Sequence, residues 1–326
     1  MDDTNPGQLA SSAENAALAA GTPPALPPDP PPPPVTRANS SSQQEPARTI
    51  KSVSDPAPAW VEKSKWKWWH TVALLLITLG IGAFGLWPKT AGRSAFVGNV
   101  LLMTAFTTIA GQGTVGFWTG VLIDERNKMS LSRLQMLMWT ILVVSGFLTA
   151  ALYNLHKPAG GDSLDITVPE QLWMLLGISA TSLVGSPLIL STKAAESQGS
   201  SLDTRNASKQ DEEAERTKAD LADQGLDPDT VTTRGKVIAW KWAEDARFAD
   251  LFQGDEIGNA AHLDLGKVQM FFFTIIIVIA YGAALASIFG GEKIKELPKL
   301  SSGLVTLLGI SHAGYLANKA VPHSAP

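Results

Sequence analysis

The chain contains no cysteine. That excludes disulfides, thiolate metal sites and a cysteine nucleophile, and it leaves the compartment open. Acidic charge is missing where transport chemistry would need it, since no Asp or Glu lies inside any long apolar run. Ion-coupled pumps carry acidic relays at membrane depth, so this absence weighs against proton- or sodium-driven transport. No His pair has zincin spacing, no Gly-x-Ser-x-Gly elbow occurs, and Asp227 and Asp229 do not extend into an EF-hand ladder. We therefore expect no enzyme, no cofactor and no metal. A net charge of -4 gives no reason to expect nucleic acid. The start, Met1 to Thr4, is acidic and no apolar run follows until residue 70, so no cleavable signal peptide is expected and the first span would act as an uncleaved anchor.

What is present is hydrophobicity gathered into runs. A bilayer core needs about 20 apolar residues per helix. Runs of that kind lie near residues 69–87, 97–123, 135–155, 171–191, 269–289 and 303–321. The stretch from Phe271 to Ala280 is apolar on every helical face, which no soluble surface helix tolerates. The expectation is an all-α integral membrane protein of about six transmembrane helices, with the lipid bilayer as its first partner. Lys63, Lys65 and Lys67 flank the first span, and Arg126, Lys128 and Arg133 lie between the second and third. With the basic residues of the long fourth connection, they place both termini and that connection in the cytoplasm. Trp66, Trp68, Trp69, Trp87 and Trp173 fall at span ends, where amphipathic rings prefer the headgroup layer.

Four regions follow. Residues 1–62 form a disordered, Pro-rich tail that favours extended polyproline II, read either as a docking arm or as a solvated spacer. Residues 63–191 hold spans one to four, and 263–326 hold spans five and six. Between them, 192–262 is a cytoplasmic loop. Its first part, Asp203 to Asp229, is an acidic helix or linker. In 236–252, Val237, Trp240, Phe248, Leu251 and Phe252 recur at helical spacing, which predicts an amphipathic helix lying in the interface or packed under the bundle.

The membrane half is written twice. Leu131, Arg133, Gln135, Met136 and Thr140 recur as Leu265, Lys267, Gln269, Met270 and Thr274. Each copy leads to the string Leu-Leu-Gly-Ile-Ser, at 175–179 and 307–311. The first repeat hairpin spans 131–191 and the second 263–326. An acidic pair precedes each copy: Asp124 with Glu125, and Asp255 with Glu256. These pairs would cap or anchor the next helix. Because a long loop joins the copies on one side, the hairpins run parallel about an axis along the membrane normal.

Within the later helix of each hairpin, small residues recur every four positions: Gly177, Thr181 and Gly185, then Gly309, Ala313 and Ala317. Such stripes let backbones approach closely, either within the chain or across a homo-oligomer. Ser179, Ser311, His312 and Asn318 are the candidate lining of a pore. His312 stands alone as an ionisable group near mid-span, readable as a pH sensor or as a neutral histidine bonded to a nearby hydroxyl. Gly111, Gly113 and Gly116 match the dinucleotide pattern Gly-x-Gly-x-x-Gly, but they sit inside an apolar helix with no preceding strand. Here they predict a break or bend in an overlong span.

The strings Ile123 to Gln135, Trp139 with Thr140, and Leu307 to Tyr315 resemble an uncharacterised family of bacterial multi-spanning inner-membrane proteins, over roughly residues 95–320. The resemblance implies a bacterial inner-membrane location and carries over no functional residue. The function expected is a non-enzymatic anchor or scaffold that presents cytoplasmic segments to a protein partner. The alternative is a channel or uniporter subunit with a pore between the duplicated hairpins.

Overall fold

The computed structural model describes residues 65–86, 92–157, 162–199 and 204–323. The Pro-rich tail and Trp87 lie outside the described residues. Seven α-helices and one hairpin follow: α1 Trp68–Leu86, α2 Arg93–Val115, α3 Leu131–Leu155, α4 Glu170–Gly199, α5 Thr204–Asp223, β1 Val231–Arg234, β2 Val237–Trp240, α6 Leu265–Ile288 and α7 Ser302–Ala320. Of the six expected spans, four are long and apolar enough to cross a membrane: α2, α3, α4 over Glu170–Ala195, and α6. The apolar part of α1 is shorter, Trp68–Ala83. In α7 the apolar pattern is diluted by Ser311, His312, Asn318 and Lys319.

The second run is where sequence and structure part most informatively. Its helix stops at Gly116, whose φ of 94° is a left-handed cap that an L side chain adopts only with strain. The chain then doubles back through a 3₁₀ turn at Gly120–Leu122. A Cβ at Gly111 would stand 2.5 Å from the Val121 nitrogen, and one at Gly120 would stand 2.5 Å from the Gly111 oxygen. The glycines thus permit a backbone-on-backbone crossing, which is the break their spacing predicts. Gln112, between them, bonds His70 of α1.

The main apolar core of the bundle is built on Trp139, Leu172, Leu175, Tyr281, Leu285 and Leu308, and a smaller cluster of Met129, Leu131, Leu251, Met270 and Tyr315 lies toward the cap. Helix α3 packs on α2, α4 and α6, while α7 packs on α4 and α6. At the end opposite the cap described below, Asn154 ties the α6–α7 connection to α3. Its Nδ2 donates to the Ile294 carbonyl at 2.7 Å and its Oδ1 accepts from the Ile294 amide at 2.8 Å.

Residues 204–262 form a small cap with its own apolar centre of Ala214, Leu221, Leu226, Val231, Ile238, Trp240, Ile257 and Ala260. The acidic stretch is helical, as α5. The expected amphipathic helix over 236–252 is not formed: that segment is strand β2 followed by 3₁₀ turns at Ala243–Asp245 and Phe248–Leu251. Two physical reasons decide it. Gly235, at φ 57°, turns the chain tightly so that Arg234 faces Val237 across an antiparallel pair. Val237 to Trp240 are then buried on both strand faces, which a helix with one polar side could not satisfy.

Candidate functional site

The cap meets the bundle where α3 and α6 begin and α4 and α7 end. Each of these four helix ends contributes polar side chains to the junction, and a group of buried charges forms there. Asp255, 5% exposed, is its centre. Arg126 Nη1 approaches it at 2.7 Å, Lys319 Nζ at 2.8 Å and Lys267 Nζ at 3.1 Å. Arg126 also holds Asp124, at 2.7 Å. Beside them, Lys193 Nζ of α4 donates to Glu256 Oε1 at 2.5 Å and to the carbonyls of Lys319 and Val321 at 2.5 and 2.7 Å. His323 Nδ1 lies 3.1 Å from the same Glu256 oxygen. Lys319 further donates to Tyr315 Oη at 2.6 Å and to Ser186 Oγ at 2.5 Å.

A fourth carboxylate, Asp250, closes the cap side. It accepts from Trp240 Nε1 at 3.1 Å, from the Met129 amide at 3.2 Å and from the Arg247 amide at 2.9 Å. Lys128 is sealed next to it, donating to the Gly254 carbonyl at 3.1 Å with its ammonium 4.8 Å from the Trp240 ring. Five cations (Arg126, Lys128, Lys193, Lys267, Lys319) therefore share the junction with four carboxylates (Asp124, Asp250, Asp255, Glu256).

Electrostatics follow from that excess. Burial alone would raise the Asp255 carboxyl, but Arg126, Lys267, Lys319 and Lys128 outweigh it and hold the group well below the usual carboxylate range. Burial likewise opposes the charge on Arg126, and Asp255 and Asp124 more than compensate. Lys128 goes the other way. Burial pulls it down to about 8 despite Asp250 and Asp255, with Arg126 and Lys267 pushing in the same direction as burial. Such an arrangement fixes geometry. Every charge is met by a fixed partner, and among the described residues no cluster of His, Asp and Glu is placed to hold a metal.

The repeated polar motif comes to this junction only in part. Asp255, Glu256 and Lys267 lie inside it, and Asp124 joins through Arg126. Glu125 is exposed. Arg133 donates to the Ile123 carbonyl at 2.8 Å. Gln135 is buried and donates to Thr274 Oγ1 at 2.5 Å, whereas its counterpart Gln269 is exposed. The acidic pairs do not cap the following helices. Asp264 caps α6 by accepting from the Gly266 and Lys267 amides, and Ser130 occupies that position ahead of α3.

Helices α4 and α7 pack side by side. The Cβ position of Gly185 is 3.4 Å from Leu316, and that of Gly309 is 3.6 Å from Ile178, while Gly177, Thr181, Ala313 and Ala317 face outward. Thr181 and Ala313 line an open groove of about 710 Å³ between the two helices. His312 is buried with Nδ1 2.6 Å from the hydroxyl of Ser182, not of Ser179. Ser179 is buried, and Asn318 is exposed near the cap. Seven polar atoms of the bundle helices, Asn99 Oδ1, Ser132 Oγ, Gln135 Oε1, Trp139 Nε1, Tyr281 Oη, Ser311 Oγ and His312 Nε2, are buried without a hydrogen-bond partner among the described residues.

Sequence reasoning missed Arg126, Lys128 and Lys193, which it counted as charges for orientation, and Lys319, which it did not single out. One signal was legible: Lys319 follows Tyr315 by one helical turn, so both share a face of α7. Together these features define a helical membrane protein whose bundle carries a polar cap fastened by buried ions. The chain matches no protein-family model, no curated protein and no solved structure.

Proposed function

We propose that the protein is a non-enzymatic scaffold of the bacterial inner membrane, with six spans arranged as two parallel repeat hairpins after an initial pair, and with the cap and both termini in the cytoplasm. One observation carries this reading: buried ion pairs join the cap to the ends of four helices, so the cap is held in one orientation. A rigid mount is what a presenting surface needs, because a partner then meets a preorganised face. That face is α5. Ala214, Thr217 and Leu221 point inward, and Asp211, Glu212, Glu215 and Asp220 point outward. It suits a protein partner with a basic surface.

The test is affinity purification of the tagged full chain from native membranes after brief crosslinking, beside the variant Glu212→Lys/Glu215→Lys/Asp220→Lys. Loss of a stoichiometric partner from the variant supports the scaffold. An unchanged homo-oligomer in both sinks it. The channel reading has its own support in the seven unpartnered polar atoms of the bundle helices, since a polar permeant would satisfy them. Liposome flux across an ion and solute panel decides that reading, and no flux removes it.

A further inference from the structure

At the junction of cap and bundle lies a cleft of about 190 Å³, bounded by the start of α3, residues 183–194 of α4 and the turn of the hairpin. Its walls differ in character. On one side Leu183, Pro187 and Leu190 present an apolar surface continuous with the part of α4 that is apolar enough to cross a membrane. On the other stand Arg133 and Arg234. Arg133 uses one donor, on the Ile123 carbonyl, and a guanidinium has five. The Arg234 side chain is exposed and makes no hydrogen bond or ion pair among the described residues. The remaining charges at the cleft are Arg126, Asp124 and Glu125. Arg126 and Asp124 neutralise each other at 2.7 Å, and Glu125 is exposed at the rim.

Two guanidiniums with donors to spare thus face a cleft whose opposite wall is mostly apolar, its two hydroxyls, Ser186 and Ser191, being bonded to Lys319 and to the Leu188 carbonyl. The turn that carries Arg234 is pinned in place, because a Cβ at Gly235 would stand 2.5 Å from the Ala194 carbonyl oxygen of α4. Ser130, at the start of α3, adds a hydroxyl that makes no capping bond, beside the free amides of a helix N-terminus. Arg is the side chain best matched to phosphate, which it binds through paired N–H donors. The apolar wall has no use for a fully soluble anion. We infer that this cleft binds the phosphate of a phospholipid head group, between Arg133 and Arg234, with the glycerol and upper acyl chain against Leu183, Pro187 and Leu190.

The test uses the full chain reconstituted in nanodiscs of equal parts phosphatidylethanolamine and phosphatidylglycerol, then released into mild detergent for native mass spectrometry. One retained phospholipid per chain is expected. Arg234→Gln removes a charge-assisted contact from a side chain that bonds nothing else in the fold, and should lower occupancy about tenfold. Arg133→Gln/Arg234→Gln should lower it further, while Arg216→Gln on α5 leaves it unchanged. Equal retention by the parent and Arg234→Gln, or no retention by the parent, overturns the inference. Glycerol phosphate that displaces the lipid at millimolar concentration would assign the cleft to soluble phosphates, and overturns the lipid assignment.

Discussion

Lys319, in the last turn of α7, meets Asp255 of the cap at 2.8 Å with both side chains buried. The pair joins residues from different parts of the molecule, and each partner serves others: Lys319 also bonds Tyr315 and Ser186, and Asp255 also bonds Arg126 and Lys267. Removing one member would therefore strand several groups at once.

Lys319→Met should cost roughly 3–5 kcal/mol of stability, the usual penalty for leaving a buried charge without its partner. Thermal unfolding in detergent reads the loss. Arg216→Met, which breaks the exposed pair with Glu212, should produce no resolvable shift. Equal effects would mean that the junction is not the tether described.

The junction also sets a pH signature. Asp255 is held below its ordinary range, so the stability it supplies is fully present above its unfolded value and falls away in strong acid, as pH drops through the folded value. Lys128 acts with opposite sign. Its folded value of about 8 lies below the unfolded 10.5, so the unfolded chain binds more protons between them and stability rises with pH across that window. Chemical denaturation of the parent and Lys128→Met at pH 8 and above should show this rise in the parent only.

Gly111→Val should prevent folding, because its side chain would collide with the backbone of Val121. Gly177→Ala should leave thermal stability unchanged, since nothing lies within 4 Å of that position. If the outward stripe pairs copies of the chain, Gly177→Leu would shift the oligomer toward monomer in light scattering while the monomer stays folded.

Asn154→Ala removes both bonds to Ile294 and leaves a buried amide and carbonyl unmet. A loss of about 1–3 kcal/mol per unmet group is expected, with faster hydrogen exchange over residues 291–297 as the local readout.

The helices were legible because hydrophobic runs follow from local composition, and Gly116 marked the end of α2 through a backbone demand that any reader of glycine spacing can see. The hairpin was not legible from periodicity. Val237 and Trp240 are three apart in either conformation, and only the turn at Gly235 and burial from both sides select the strand. The charge junction was hidden for a related reason. Lys193, Asp255 and Lys319 are far apart in sequence, and a lysine near a helix end reads as a membrane flank until the fold shows what covers it. His312 meets the hydroxyl of Ser182, a neighbour that the sequence reading did not name.

The order in which the junction's parts are synthesised has a consequence of its own. Asp124 and Arg126 emerge first, Lys193 within α4, Asp255 and Glu256 much later, and Lys319 only with α7. Until α7 is in place, Asp255 lacks one of its three ion-pair partners and Glu256 has yet to meet His323. The cap therefore gains its full set of tethers only once α7 has packed against the rest of the bundle.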